Sequence, residues 1–304
     1  MNIFLYASIV LVWGSTWLAI KFQLGDVPAS VSVCWRFALA AMAMALWCTA
    51  RGQSLRLSRG QHARLALLGS LMFCGNYELV YEAERYLTSG LVALIFSLLP
   101  LFNIVLAALL LRRPLPMRAL LGACVGVTGV VITFWPDIVA FDLAKTGSVG
   151  LVIAVGGTLL ASLGNMVAIR NSEHGVPVLP GTAIAMAYGA LCCAVLVVIR
   201  GDRFVIDLST PYLLSLAYLA LFGSVVAFGC YLTLLGRIGI ERAAYSALLI
   251  PIVALIISHF FEGYEWGARL SFGLLFALGG NAITLMKSPL RKRAAAAVPA
   301  GGAA

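Results

Sequence analysis

ALIFSLLP at 93–100 and AYSALLIP at 244–251 both end on a proline set within an apolar run. Each run continues past its proline, as LFNIVLAALLL at 101–111 and IVALIISHFFE at 252–262. The prolines, Pro100 and Pro251, therefore lie near the middle of segments long enough to cross a bilayer as helix. Lacking an N–H, each leaves a carbonyl free four residues earlier, at Phe96 and Ala247. The same offset of 151 residues pairs Ala93 with Ala244, Leu98 with Leu249, Gly122 with Gly273, Gly129 with Gly280, Ile132 with Ile283 and Thr133 with Thr284. A shared proline and a shared Gly-x6-Gly spacing mark an internal repeat.

Composition says where these helices sit. The 304 residues are 62% hydrophobic and 11% charged, with a mean hydropathy of +1.00, outside the balance of a water-soluble domain. Charge-free runs cover 1–20, 86–111, 146–169, 175–199 and 208–236. Backbone amides in lipid must be bonded within their own segment, and nothing here alternates with period two, so the runs are helices and not barrel strands. Cutting at charges and Pro/Gly-rich breaks predicts ten: 3–22, 29–50, 65–86, 88–111, 115–136, 147–169, 180–200, 211–236, 240–262 and 266–287. The first run lacks a basic leader and a small-residue cleavage site and carries Trp13 and Trp17, so it is expected to stay as a span.

A five-helix unit repeated once must re-enter the membrane from the opposite side. The expected fold is therefore an all-α integral membrane protein of ten transmembrane helices in two inverted repeats, 1–142 and 143–287, with a basic tail at 288–304 expected to be disordered and to touch anionic lipid. One set of alternate loops carries 14 Lys and Arg, the other six. That imbalance predicts both termini in the cytoplasm of a bacterial cell and accounts for the net charge of +9 without nucleic acid, the aromatic residues lying inside the spans. The seven cysteines fall within spans and form no C-x-x-C, which indicates neither disulfides nor a metal site, and no cofactor motif is present. A monomer is expected.

Two spans carry a full charge at depth, Arg36 in the second and Glu78 in the third. Both fall ~4–5 Å to the outer side of the midplane at ~1.5 Å rise per residue. The simplest account makes Arg36 the charge partner of Glu78, each reducing the other's desolvation cost. On a helical wheel Leu71, Cys74, Gly75, Glu78, Tyr81, Glu82 and Arg85 share one face with Tyr77 on its flank, a stripe leading outward. Further candidate substrate contacts are Trp13, Trp17, Ser97, Asn165 and Tyr245, with Pro100 and Pro251 as hinges. Aromatic walls and one carboxylate suit a small amphipathic solute bearing an amine. Neither a nucleophile motif nor a histidine cluster supports an intramembrane enzyme, and no filter-like loop supports a channel.

VWGSTWLAIKFQLGDVPASVSVCWRFALAA (12–41), AERYLTSGLVALIFSLLPLFNIVLAALLLRRPLPMRALLGACVGVTGVVI (83–132) and GRIGIERAAYSALLIPIVALIISHFFEGYEWGARLSFGLLFALGGNAI (236–283) resemble the two EamA domains of the drug/metabolite transporter superfamily. The resemblance implies a five-plus-five inverted repeat, a central cavity, and export of amino acids, related metabolites or drugs by alternating access. The Tyr77–Glu78 pair is similar to amino-acid exporters of the YddG type. Where the family often has Gly-Glu after the fourth and ninth helices, this chain has Arg112-Arg113 and Glu262-Gly263. The expected function is thus export of amino acids, with a multidrug or sugar-conjugate carrier as the alternative.

Overall fold

A computed structural model describes residues 2–115, 117–139, 146–238 and 246–285. Within them the chain forms ten long helical rods. We label them α1 (Asn2–Lys21), α2 (Ala29–Ala50), α3 (59–83), α4 (89–111), α5 (Met117–Thr133), α6 (Thr146–Glu173), α7 (Val178–Arg200), α8 (210–238), α9 (Ser246–Glu262) and α10 (Ala268–Leu285). A single turn, Trp135–Val139, comes after α5. Six of the rods are long and apolar enough to cross a membrane by length and composition. The molecular end where α1 begins is called proximal here, and the end where it finishes distal.

Several rods differ from their expected bounds for identifiable reasons. The third begins at Arg59 and not at residue 65, because Ser58 and Gln61 form a reciprocal capping box. That S-x-x-Q signal precedes the apolar run and extends the helix into water. Both α3 and α8 widen into π-helical geometry midway, over Gly69–Gly75 and Tyr218–Val226. These segments end at the offset of the sequence repeat. The extra residue per turn rotates the downstream half of each rod, so the wheel drawn for an unbroken α-helix fails beyond Gly75.

The two repeat prolines also part company. In α4 the helix breaks at Ser97–Leu98, and Pro100 stands in the first turn of the new segment Leu99–Leu111, where its missing N–H costs nothing. Pro251 lies inside the continuous α9.

The most extensive helix pair is α5 with α10. Glycines make it possible: a Cβ on Gly122 would lie 2.5 Å from the Gly280 carbonyl oxygen, and one on Gly273 2.7 Å from that of Gly129. Backbones meet there without intervening side chains, as in small-residue crossings within membranes. The distal half of α4 (Ser89–Phe96) packs on α9, a Cβ on Gly90 falling 2.9 Å from the Leu255 Cα. Leu94 and Leu255 share a buried cluster there with Leu270 and Leu274. The proximal half, Leu99–Leu111, buries no residue fully and runs along α6.

Candidate functional site

Glu78 is buried, and its carboxylate accepts a hydrogen bond from an Nη of Arg200 at the distal end of α7. This corrects the expected pairing with Arg36. A guanidinium on a span's last residue can reach inward along its own helix, so a loop charge neutralises a deep one. Arg36 instead lies 4.5 Å over the Tyr77 ring and 5.2 Å from the Phe37 ring, a cation-π arrangement. It is 2% exposed, and its Nε and Nη1 have no hydrogen-bond partner.

Tyr81 does not continue a stripe from Glu78. It is fully buried and its hydroxyl donates to Gln23 Oε1 at 2.6 Å, in the link between α1 and α2. Glu78 faces α7 while Tyr77 packs on α2 and Tyr81 reaches the link between α1 and α2, a divergence set within the regular segment Asn76–Ala83 by the ~100° turn per residue. Glu82 pairs with Arg85 nearer the surface, at 3.2 Å.

Above Tyr81, at the distal end, four helices are tied by charge. Glu262, closing α9, accepts from the Ser89 backbone N–H at 3.0 Å and from its hydroxyl, capping the start of α4. Lys21 ends α1, stands 3.5 Å from Glu262 and donates to the Glu84 and Leu87 carbonyls. Glu84, in the turn after α3, is fully buried, and neither carboxylate oxygen has a hydrogen-bond partner. Burial pushes its carboxyl well above the usual carboxylate range; Lys21 opposes this, neighbouring Glu262 adds to it, and Arg36 opposes it more weakly.

Half-buried aromatic and polar groups occupy the remaining interior. Trp13 Nε1 donates to the Gly223 carbonyl of α8 at 3.1 Å, and its ring packs at 5.6 Å from Phe228 and 5.5 Å from Tyr231. Trp17 meets Phe96 of α4 edge-on at 5.2 Å. Ser15 shares a 2.7 Å hydrogen bond with the Tyr218 hydroxyl of α8. Asn103 Oδ1 in α4 accepts from Ser162 at 2.8 Å and Asn165 at 3.1 Å, both on α6. Ser97 turns inward to its own helix, bonding the Leu94 carbonyl at 2.6 Å, while its carbonyl accepts from Asn281 of α10. Tyr245 lies outside the described residues.

The structure thus joins Trp13 to α8 and Asn165 to α4, and it separates Glu78 from Arg36. Arg200 escaped sequence reasoning because a residue at a span's end reads as a loop charge. The Lys21–Glu84–Glu262 cluster escaped it because its members come from three distant segments. The signal available was Glu262 at the close of the ninth helix.

An EamA-like transporter family profile matches this chain twice, over residues 1–135 and 148–286. Curated relatives include the Protein PagO of Salmonella typhimurium, 24% identical over 86% of this chain and 84% of its own. The uncharacterized inner membrane transporter YedA of Escherichia coli K12 is 24% identical over 82% of this chain and 79% of its own. A Salmonella typhimurium protein named a probable amino-acid metabolite efflux pump is 22% identical over 96% and 97%. One solved crystal structure aligns with a TM-score of 0.67 over 96% of this chain and 98% of its own at 18% identity, which shows a common fold.

Proposed function

Because the chain belongs to the EamA-like transporter family, and so is a multi-pass membrane transporter and not an enzyme, we propose that it exports small organic metabolites, amino acids foremost, by alternating access. The halves are 1–142 and 143–287, inverted relative to one another, in a bacterial inner membrane with both termini cytoplasmic. Separate family matches over 1–135 and 148–286 support that division. So does the reciprocal glycine contact, in which the first glycine of one copy faces the second of the other, as a two-fold axis in the membrane plane demands. The charge imbalance between loops supports the orientation.

The observation that carries the reading is the unequal burial of α4. Its distal half is buried in close contact with α9 and latched by Glu262, while no residue of Leu99–Leu111 is fully buried. A carrier closed distally and loosened proximally stands in the state that receives a cytoplasmic solute. The break at Ser97–Leu98 and Pro251 supply places for α4 and α9 to bend.

Trp13, Trp17, Tyr77 and Tyr218 offer aromatic surface to the solute, and Asn103 with Asn165 offers amide groups. Glu78 contributes through its pair with Arg200, and Ser97 and Tyr245 belong to the helices that move. The relative named a probable amino-acid metabolite efflux pump supports this substrate class. Counterflow of radiolabelled amino acids into proteoliposomes tests it. Uptake of aromatic or branched amino acids is expected; failure across a broad panel, with uptake of cationic drugs or sugar conjugates instead, replaces the substrate class.

A further inference from the structure

Glu84 is a carboxyl group with no solvent exposure and no donor on either oxygen, in the middle of the distal closure. Among the described residues, the charged groups that face it are Lys21, Glu262 and Arg36. Lys21, from α1, gives its hydrogens to the Glu84 and Leu87 main-chain carbonyls and its charge to Glu262. Glu262, from α9, is a second negative charge, and its oxygens are taken by Ser89. Arg36, from α2, acts on Glu84 through space but forms no ion pair with it, its guanidinium being stacked on Tyr77. Tyr81, on the preceding turn, has given its hydroxyl hydrogen to Gln23. An ionised carboxylate enclosed in this way has lost its water and gained no donor, Lys21 and Arg36 acting on it only through space. The neutral acid loses far less.

We infer that Glu84 is a proton-binding site of the distal gate, carrying a proton while the gate is closed and losing it to water when the gate opens. This rests on the alternating-access reading. On closure the Glu84 carboxylate takes one proton from hydronium on the distal side, leaving water; on opening it returns that proton. Opening to the distal face is therefore tied to proton release, a link through which the pH on the distal side acts on the transport cycle.

The sign is set by which state holds the proton. The closed state binds one proton more than the open one, so acid favours closure. The ratio of open to closed rises up to ~10-fold per pH unit between the pKa of an exposed glutamate, ~4.3, and the higher value of the enclosed one.

Two measurements on the full-length protein in nanodiscs decide the matter. Infrared difference spectra near neutral pH are expected to contain the carbonyl stretch of a protonated carboxyl group that is absent from Glu84→Gln and retained in Glu78→Gln. Amide hydrogen exchange, corrected for the intrinsic effect of pH, is expected to show segments 84–96 and 255–266 growing more protected as pH falls from about 8 to about 5.5. Glu84→Gln, which mimics the neutral acid, is expected to be protected at every pH. Absence of the infrared band in the wild type, or an equal pH dependence in wild type and Glu84→Gln, overturns the site. Since wild type alone can return the negative result, poor folding of a variant does not shelter the proposal. Loss of amino-acid counterflow with the band intact removes the substrate reading and leaves the proton site standing.

Discussion

Gly122 of α5 lies against Gly280 of α10, so close that a Cβ on the first would fall 2.5 Å from the carbonyl oxygen of the second. Gly129 and Gly273 stand in the same relation, and Thr284 packs over Gly122 and Thr133 over Gly273. The atoms in the way include backbone carbonyls as well as these hydroxyls, so an added methyl must push the helices apart. Gly273→Ala is expected to cost roughly 1–3 kcal/mol, as overpacking does, and Gly122→Ala a similar amount. Gly279→Ala meets nothing within 4 Å and serves as the control, expected to be neutral or slightly stabilising. Thermal unfolding in detergent, followed by tryptophan fluorescence, separates the two outcomes.

The Glu78–Arg200 pair makes an asymmetric prediction. The Arg200 side chain is 49% exposed and that of Glu78 11%. Glu78→Gln frees a guanidinium that turns to water, expected to cost under about 1 kcal/mol. Arg200→Gln strands a buried carboxylate and is expected to cost several-fold more, since a charge left unpaired away from water is the expensive outcome. The double variant is expected to recover most of that loss. Equal midpoints for the two single variants would mean that the pair is loose in the membrane.

Much of this architecture is legible in the chain, and the rest fails for stated physical reasons. Apolar runs and charged breaks locate the helices because lipid admits no unpaired backbone. Gly122, Gly129, Gly273 and Gly280 are visible as a repeated spacing before any contact is known. Glu78 is visible as an anomaly, but its partner is not. Depth along a helix pointed to Arg36, whereas the reach of a long side chain from a helix end favoured Arg200. The face of α3 is hidden as well, because hydrophobic periodicity does not reveal the π-helical turn at Gly69–Gly75, which rotates Glu78 and Tyr81 together relative to the residues before it. Glu84 reads as one member of a polar cluster at a helix end, and only the folded chain encloses it.

Glu262 caps α4 across the two halves, with two oxygens on the Ser89 N–H and one on its hydroxyl. Glu262→Gln keeps the shape but loses the charge that favours a helix N-terminus and holds Lys21 at 3.5 Å. The distal closure is expected to weaken by about 1–2 kcal/mol, the difference between charge-assisted and neutral hydrogen bonds. Hydrogen exchange in segment 84–96 is expected to speed by roughly 5- to 30-fold at that cost, while α5 and α10 stay unchanged. Equal protection in wild type and variant would show that apolar contacts such as Leu94 with Leu255 hold the gate without it.

The two repeat prolines are expected to answer differently to alanine. Pro100 sits in the first turn of a helical segment, where no hydrogen bond is missing, so Pro100→Ala is expected to change stability and transport little. Pro251 lies within α9, and alanine there restores a donor for the carbonyl four residues earlier. The helix becomes stiffer and the resting state more stable. If α9 must bend for the distal gate to open, Pro251→Ala raises the unfolding temperature while counterflow falls by at least ~10-fold, a barrier increase of about 1.4 kcal/mol. Faster or unchanged counterflow with the same stabilisation would mean that α9 moves as a rigid rod and that the bending lies in α4, at the Ser97–Leu98 break.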